Sequence, residues 1–141
     1  MEKNQKTVVT IETTVALPAE KAWEYWTGPR HITQWNHASD DWHSPHAEND
    51  LRKGGRYTCR MEAKDGSFGF DFGVTYDKVD PFSFISSTMD DGRRWEVSFI
   101  PEGNSTKVVE EFEAEETNPV EMQQAGWQAI LDNFKKYAES R

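Results

Sequence analysis

Five runs of alternating apolar and polar residues, parted by short turn signals, fill the chain between Arg56 and Glu113. They are Arg56–Ala63, Phe68–Tyr76, Phe82–Thr88, Arg94–Ile100 and Thr106–Glu113. Asp65-Gly66, Asp80-Pro81, Asp91-Gly92 and Glu102-Gly103-Asn104 part them. A period of two makes each run a strand with one face inward and one outward. Connections this short reach only an antiparallel neighbour, because a parallel crossover needs a dozen or more residues. The runs are therefore a meander, and Asp65-Gly66 is its strongest hairpin signal.

The flanks supply the rest. Thr7 to Val15 alternates and is rich in β-branched residues, the pattern of a first strand. Pro18 opens a helix over Ala19 to Trp26, with Ala22, Trp23 and Trp26 at helical spacing, and Gly28-Pro29 stops it. A second short helical turn runs through Ile32 to Trp35. Asn36 to Asp50 is polar and His-rich, a loop with a short strand near Trp42 to Glu48. After the meander, Asn118 is placed as an N-cap, Pro119 as the first helical residue and Glu121 as a capping-box partner. The last helix runs to about Glu139 on a stripe of Met122, Trp127, Ile130, Leu131, Phe134 and Tyr137.

Strands gathered in the middle and helices at the ends make the chain α+β. Its 141 residues suit one domain spanning 1–141 and leave no room for two. A curved sheet wrapped around one long helix encloses space at their junction, where ligands sit.

Composition narrows the function. The formal charge of −9, with no Lys/Arg cluster, argues against nucleic acid and against an anionic membrane surface. Eighteen aromatics (8 Phe, 6 Trp, 4 Tyr) argue against a disordered acidic chain. The single Cys59 forms no internal disulfide, no stretch approaches the ~20 apolar residues of a membrane span, and residues 1–6 show no signal region. The expectation is a soluble, cytoplasmic protein, monomeric or weakly dimeric.

Leu17-Pro-Ala-Glu-Lys-Ala-Trp-Glu-Tyr-Trp-Thr27, then Ile32-Thr-Gln-Trp35, resembles the opening of the START-like (SRPBCC, helix-grip) superfamily. Within it the chain is most similar to the branch of homologues of the activator of the heat-shock protein 90 ATPase. Supporting motifs are Asp50-Leu-Arg-Lys-Gly-Gly-Arg-Tyr57, the Asp65-Gly66 hairpin, Val79-Asp-Pro81, Asp91-Gly92 and Ser105-Thr-Lys-Val108. Gly126-Trp127 with Leu131, Phe134 and Tyr137 completes them. The resemblance implies a helix-grip fold: a curved antiparallel sheet of about six to seven strands around a long C-terminal helix, two short helices between the first and second strands, and an elongated apolar cavity. Members serve as lipid or polyketide carriers, aromatic-compound binders, cyclases and co-chaperone domains, so the fold alone does not fix a function.

The expected function is binding of a small, mostly apolar molecule, lipid-like or aromatic, in that cavity. Trp95, Phe99, Trp127 and Phe134 are the expected walls, and Trp35 with His43 the entrance. Tyr57, Met61, Phe70, Phe72 and Ile130 also aim at the sheet–helix space, although each of these side chains suits a packed core equally. The strand carrying Phe70, Asp71 and Phe72 has two readings. A bulge near Gly69 or Gly73 would turn the two Phe outward and bring the Asp71 carboxylate into the cavity.

His31, His37, His43 and His46 lie near Asp40, Asp41 and Glu48 but lack the tight Cys/His spacing of a zinc site, so no metal is expected. No Ser nucleophile elbow, Walker loop or GxGxxG appears, and no cofactor or catalytic residue is assigned. Acid–base chemistry through Asp71, Arg60 or a His, as in the cyclase relatives, is the third reading. The second is a protein-interaction module with a chaperone partner. Gly126 inside the last helix calls for a reason, either close packing or room for a ligand. Glu110, Glu111, Glu113, Glu115 and Glu116 are read as a solvated edge.

Overall fold

The computed structural model describes residues 7–141, so the reading of residues 1–6 lies outside them. Strand β1 (Val8–Val15) is followed by helices α1 (Ala19–Thr27) and α2 (Pro29–Trp35). Strands β2 (Trp42–Asn49), β3 (Arg56–Ala63), β4 (Gly69–Asp80), β5 (Phe84–Met89), β6 (Arg94–Glu102) and β7 (Ser105–Glu113) come next, and helix α3 (Val120–Glu139) closes the chain. All seven strands form one antiparallel sheet in the order β1-β7-β6-β5-β4-β3-β2. The sheet curves around α3, a helix-grip fold.

Each strand faces as its period-two pattern dictates. Val9, Ile11 and Val15 of β1 are buried, as are Val97 and Phe99 of β6 and Val108 and Phe112 of β7. Pro45 sits in the edge strand β2, where a missing N–H is tolerated. Gly55 is demanded by close approach: a Cβ there would lie 2.1 Å from the Asp50 carbonyl.

The bulge in β4 lies at neither glycine. Tyr76 pairs with Ser87 and Lys78 with Ser86, which leaves Asp77 as the extra residue. Even-numbered side chains therefore face inward up to Tyr76, and after the bulge Val79 takes the inward side. Phe70 and Phe72 keep the inner face, while Asp71 points outward, 3.6 Å from Arg60. Phe68 precedes the strand and is exposed.

The helices bury one face each. In α1 these are Ala22, Trp23 and Trp26; in α2, Ile32 and Trp35. Two details of α3 depart from the pattern. Its N-cap is Pro119, with no side-chain cap. The Glu115 carboxylate instead takes the N–H groups of Thr117 and Asn118 and the Asn118 amide. Met122 is exposed and its neighbour Gln123 is buried. The Gln123 amide accepts from the Glu115 N–H at 2.8 Å and donates to the carbonyls of Glu115 and Asn118 at 3.0 and 2.8 Å. A buried glutamine with its groups satisfied ties the helix start to the preceding loop.

Candidate functional site

A cavity of about 240 Å³ lies between the inner face of the sheet and α3. From β3 come Tyr57 and Met61, from β4 Phe70 and Phe72, and from β6 Trp95. Helix α3 contributes Trp127 and Ile130, and the short helices contribute Trp26 and Trp35. The rings meet edge to face: Phe72 and Trp95 at 5.7 Å, Trp95 and Trp127 at 5.5 Å, Tyr57 and Phe72 at 6.2 Å. Trp127 is fixed by stacking on Phe112, with centroids at 4.0 Å and the ring planes nearly parallel at 11°. Phe70 is 42% exposed and contacts Trp42 at 6.2 Å, so one wall opens to solvent.

Of the residues aimed at this space by sequence, Trp35, Tyr57, Met61, Phe70, Phe72, Trp95, Trp127 and Ile130 line it. Three lie elsewhere. Phe99 is buried against Trp23 and Trp26, with centroids at 5.3 and 6.0 Å. Phe134 is sealed against Trp26 and Trp35 at 4.9 and 5.0 Å. Both belong to the packed core beneath the short helices, where α1 and α2 fill the space that an empty groove would leave. His43 faces outward, 3.6 Å from Glu62, because the pairing of β2 with β3 shifts between His43 and His46. Ser44 takes the inner position there, donating to the Asn36 carbonyl and lying 3.3 Å from Met61 Sδ.

The polar groups of the cavity are Asn36, Arg93 and Glu110, with the Tyr57 hydroxyl and the Trp95 indole N–H. Asn36 Nδ2 donates to the Tyr57 hydroxyl at 3.1 Å and to Cys59 Sγ at 3.2 Å. Arg93 lies with Nε 2.9 Å from Asp91 and donates to the Glu113 carbonyl at 3.1 Å. Glu110 is the chief correction to the solvated acidic edge. It is 3% exposed, and Trp95 Nε1 donates to its Oε1 at 2.9 Å. Burial lifts its carboxyl to about 8, against the smaller opposing pull of that hydrogen bond. Burial likewise pushes the Tyr57 hydroxyl well up. Parity could have found Glu110, since it alternates with Val108 and Phe112 on the inner face; Arg93, in the turn before β6, left no such signal.

A second, smaller void of about 20 Å³ adjoins the cavity through shared walls of Trp26, Trp35, Tyr57 and Trp95. It is large enough for about one water. The Tyr76 hydroxyl donates to Asn49 Oδ1 beside it at 2.6 Å.

The histidines do not converge. His31 Nδ1 is 2.6 Å from the Tyr137 hydroxyl, His37 Nε2 is 3.0 Å from the Asn133 amide, and His46 is 2.9 Å from Glu48. No group of three His, Cys, Asp or Glu able to hold a metal ion occurs among the described residues. No helix among them is long and apolar enough to cross a membrane.

A seven-stranded antiparallel sheet gripping its C-terminal helix, with two short helices after the first strand, defines a START-like (SRPBCC) helix-grip protein. Residues 16–139 match the family Activator of Hsp90 ATPase homolog 1-like protein, and the chain belongs to that family. The solution NMR structure of the AHSA1-like protein from Aeromonas hydrophila is 45% identical, over 95% of this chain and 93% of that one, with a TM-score of 0.89. A solution structure from Cytophaga hutchinsonii is 51% identical, over 94% of this chain and 92% of that one, with a TM-score of 0.82. A crystal structure of a protein from Chromobacterium violaceum shares the fold at 18% identity, with 94% and 98% of the two chains covered and a TM-score of 0.83. No curated protein matches the chain.

Proposed function

We propose that the chain binds a small, flat, mostly apolar molecule in the cavity between the sheet and α3. The observation that carries this reading is the cavity of about 240 Å³ walled by aromatic side chains from the sheet and from α3. A void of this size lined by apolar groups gains little from water and much from an apolar guest. Area burial and ring contacts supply the affinity, and the few polar groups set the guest's orientation. A Kd of about 1 to 100 µM suits a bicyclic or tricyclic aromatic ligand.

The direct test is a titration with a flavonoid panel and with a hydrophobic fluorophore, read on tryptophan emission. Trp95, Trp127 and Trp35 line the cavity, so a bound guest quenches or shifts their signal. Saturable responses are expected, and a panel that gives none removes the reading.

A second reading is favoured by the family match itself, whose description names an activator of the Hsp90 ATPase. On it the chain is an interaction module for a chaperone. Co-sedimentation with the chaperone, and a rise in its ATPase rate on adding this chain, would be its signature. The guest-binding and chaperone readings predict separate readouts, so one preparation of protein tests both.

A further inference from the structure

Among the described residues Glu110 is the one buried carboxylate. Its Oε1 accepts the Trp95 N–H at 2.9 Å, Oε2 has no hydrogen-bond partner among those residues, and the residue lines the cavity. The groups facing it from each packed element decide its state. From α3 come Trp127 and Ile130, from β4 Phe70 and Phe72, and from β3 Met61, none of which titrates. The titratable neighbours are Tyr57, whose hydroxyl burial holds in its neutral form, and Arg93, whose guanidinium is 2.9 Å from Asp91. Among the described residues no cation pairs with Glu110. An ionised carboxylate here would give up its hydration for a single hydrogen bond, so the neutral acid is the favoured form. With Oε1 occupied as an acceptor, the acid hydrogen sits on Oε2 as a donor without an acceptor.

We propose that Glu110, as a neutral acid, donates this hydrogen to a carbonyl oxygen of a flat aromatic guest, so that the cavity selects aryl ketones and quinones over hydrocarbons and amines. This rests on the reading of the cavity as a guest site and adds which guest it takes. The rings of Trp95, Trp127 and Phe72 flank the aromatic body, and the acid fixes the carbonyl end. An ammonium is disfavoured because it requires Glu110 to ionise and shares the cavity with the Arg93 cation.

Three probes of one shape separate the outcomes: methyl naphthyl ketone, ethylnaphthalene and naphthylethylamine, each titrated against tryptophan emission at about pH 6.5 and about pH 9.5. These conditions bracket the Glu110 titration at about 8. At the lower pH the ketone is expected to bind about five- to tenfold more tightly than the hydrocarbon, the factor of one net hydrogen bond. At the higher pH that advantage disappears in the native protein and persists in Glu110→Gln, whose amide keeps a donor. Glu110→Leu binds ketone and hydrocarbon alike at both. The native protein alone suffices if either variant fails to fold. Equal affinity for ketone and hydrocarbon at the lower pH overturns the proposal and leaves the guest site standing. Preference for the amine overturns it too, whereas no saturable response to any probe sinks the guest site and this proposal together.

Discussion

Folding places the Glu110 carboxyl among aromatic rings, with the Trp95 N–H at 2.9 Å as its hydrogen-bond donor. Its titration moves from the ordinary 4.5 to about 8 on folding. Between those values the folded state keeps a proton that the unfolded state releases. Stability therefore falls as pH rises across that interval and levels off above it. Glu110→Gln removes the proton from the balance. The variant is expected to match the native protein near pH 5 and to exceed it near pH 9, by on the order of a few kcal/mol. Urea unfolding at both pH values checks this, and parallel profiles would contradict a buried acid. A second contrast separates core from cavity wall. Phe134→Ala, in the sealed cluster with Trp26 and Trp35, is expected to cost about 3–5 kcal/mol. Phe70→Ala, at a half-open wall, is expected to cost about 1 kcal/mol or less by the same denaturation assay.

At the scale of elements, α3 carries an avoidable weakness. A Cβ at Gly126 would meet nothing within 4 Å, so close packing does not explain this glycine. Gly126→Ala is expected to stabilise the protein by about 0.5–1 kcal/mol, seen as a higher unfolding midpoint. The same helix shows why a pattern can be read and still mislead. Leu131 and Phe134 are fully buried as their spacing requires, yet the same apolar spacing runs on to Met122, which is exposed. The local sequence offers no sign that Gln123 will bury itself on the carbonyls of Glu115 and Asn118. Strands were legible because alternation and turn residues act over a few positions. The bulge at Asp77 was not, because it arises from the pairing of two strands. For the cavity, alternation sets Tyr57 and Met61 of β3 and Trp95 of β6 on one face of their strands, whereas for Phe70 and Phe72 of β4 it leaves two readings that the position of the bulge decides. It could not tell that α1 and α2 would seal Phe99 and Phe134 away, since that depends on packing between distant segments.

For the molecule as a whole, the aromatic cavity between the sheet and α3 makes occupancy and stability separable. Ile130→Phe enlarges a side chain on the cavity wall, one helical turn from Phe134 on α3. It is expected to weaken fluorophore binding at least about tenfold while leaving the unfolding midpoint unchanged or raised, as cavity filling does. Loss of both binding and stability would mean that the cavity is only slack in the core. Both free edges of the sheet are guarded. On β2 the pairing shift and Pro45 interrupt a template for another strand. At the end of β1, side chains of α3 reach the backbone: Lys135 Nζ donates to the Thr14 carbonyl, and the N–H of Ala16, just past the strand, donates to Glu139 at 2.9 Å. The pairing of β1 with β7 has a consequence for synthesis. Val8 lies opposite Glu113, so the first strand made must wait until more than 100 further residues have been translated, several seconds or more at about 5–20 residues per second. Strands β2 to β7 each find a neighbour as soon as the next turn emerges. The nascent chain thus assembles its hairpins first and recruits its own beginning last, which makes the β-branched run Val8–Val15 the segment on which a chaperone or a competing strand has the longest time to act.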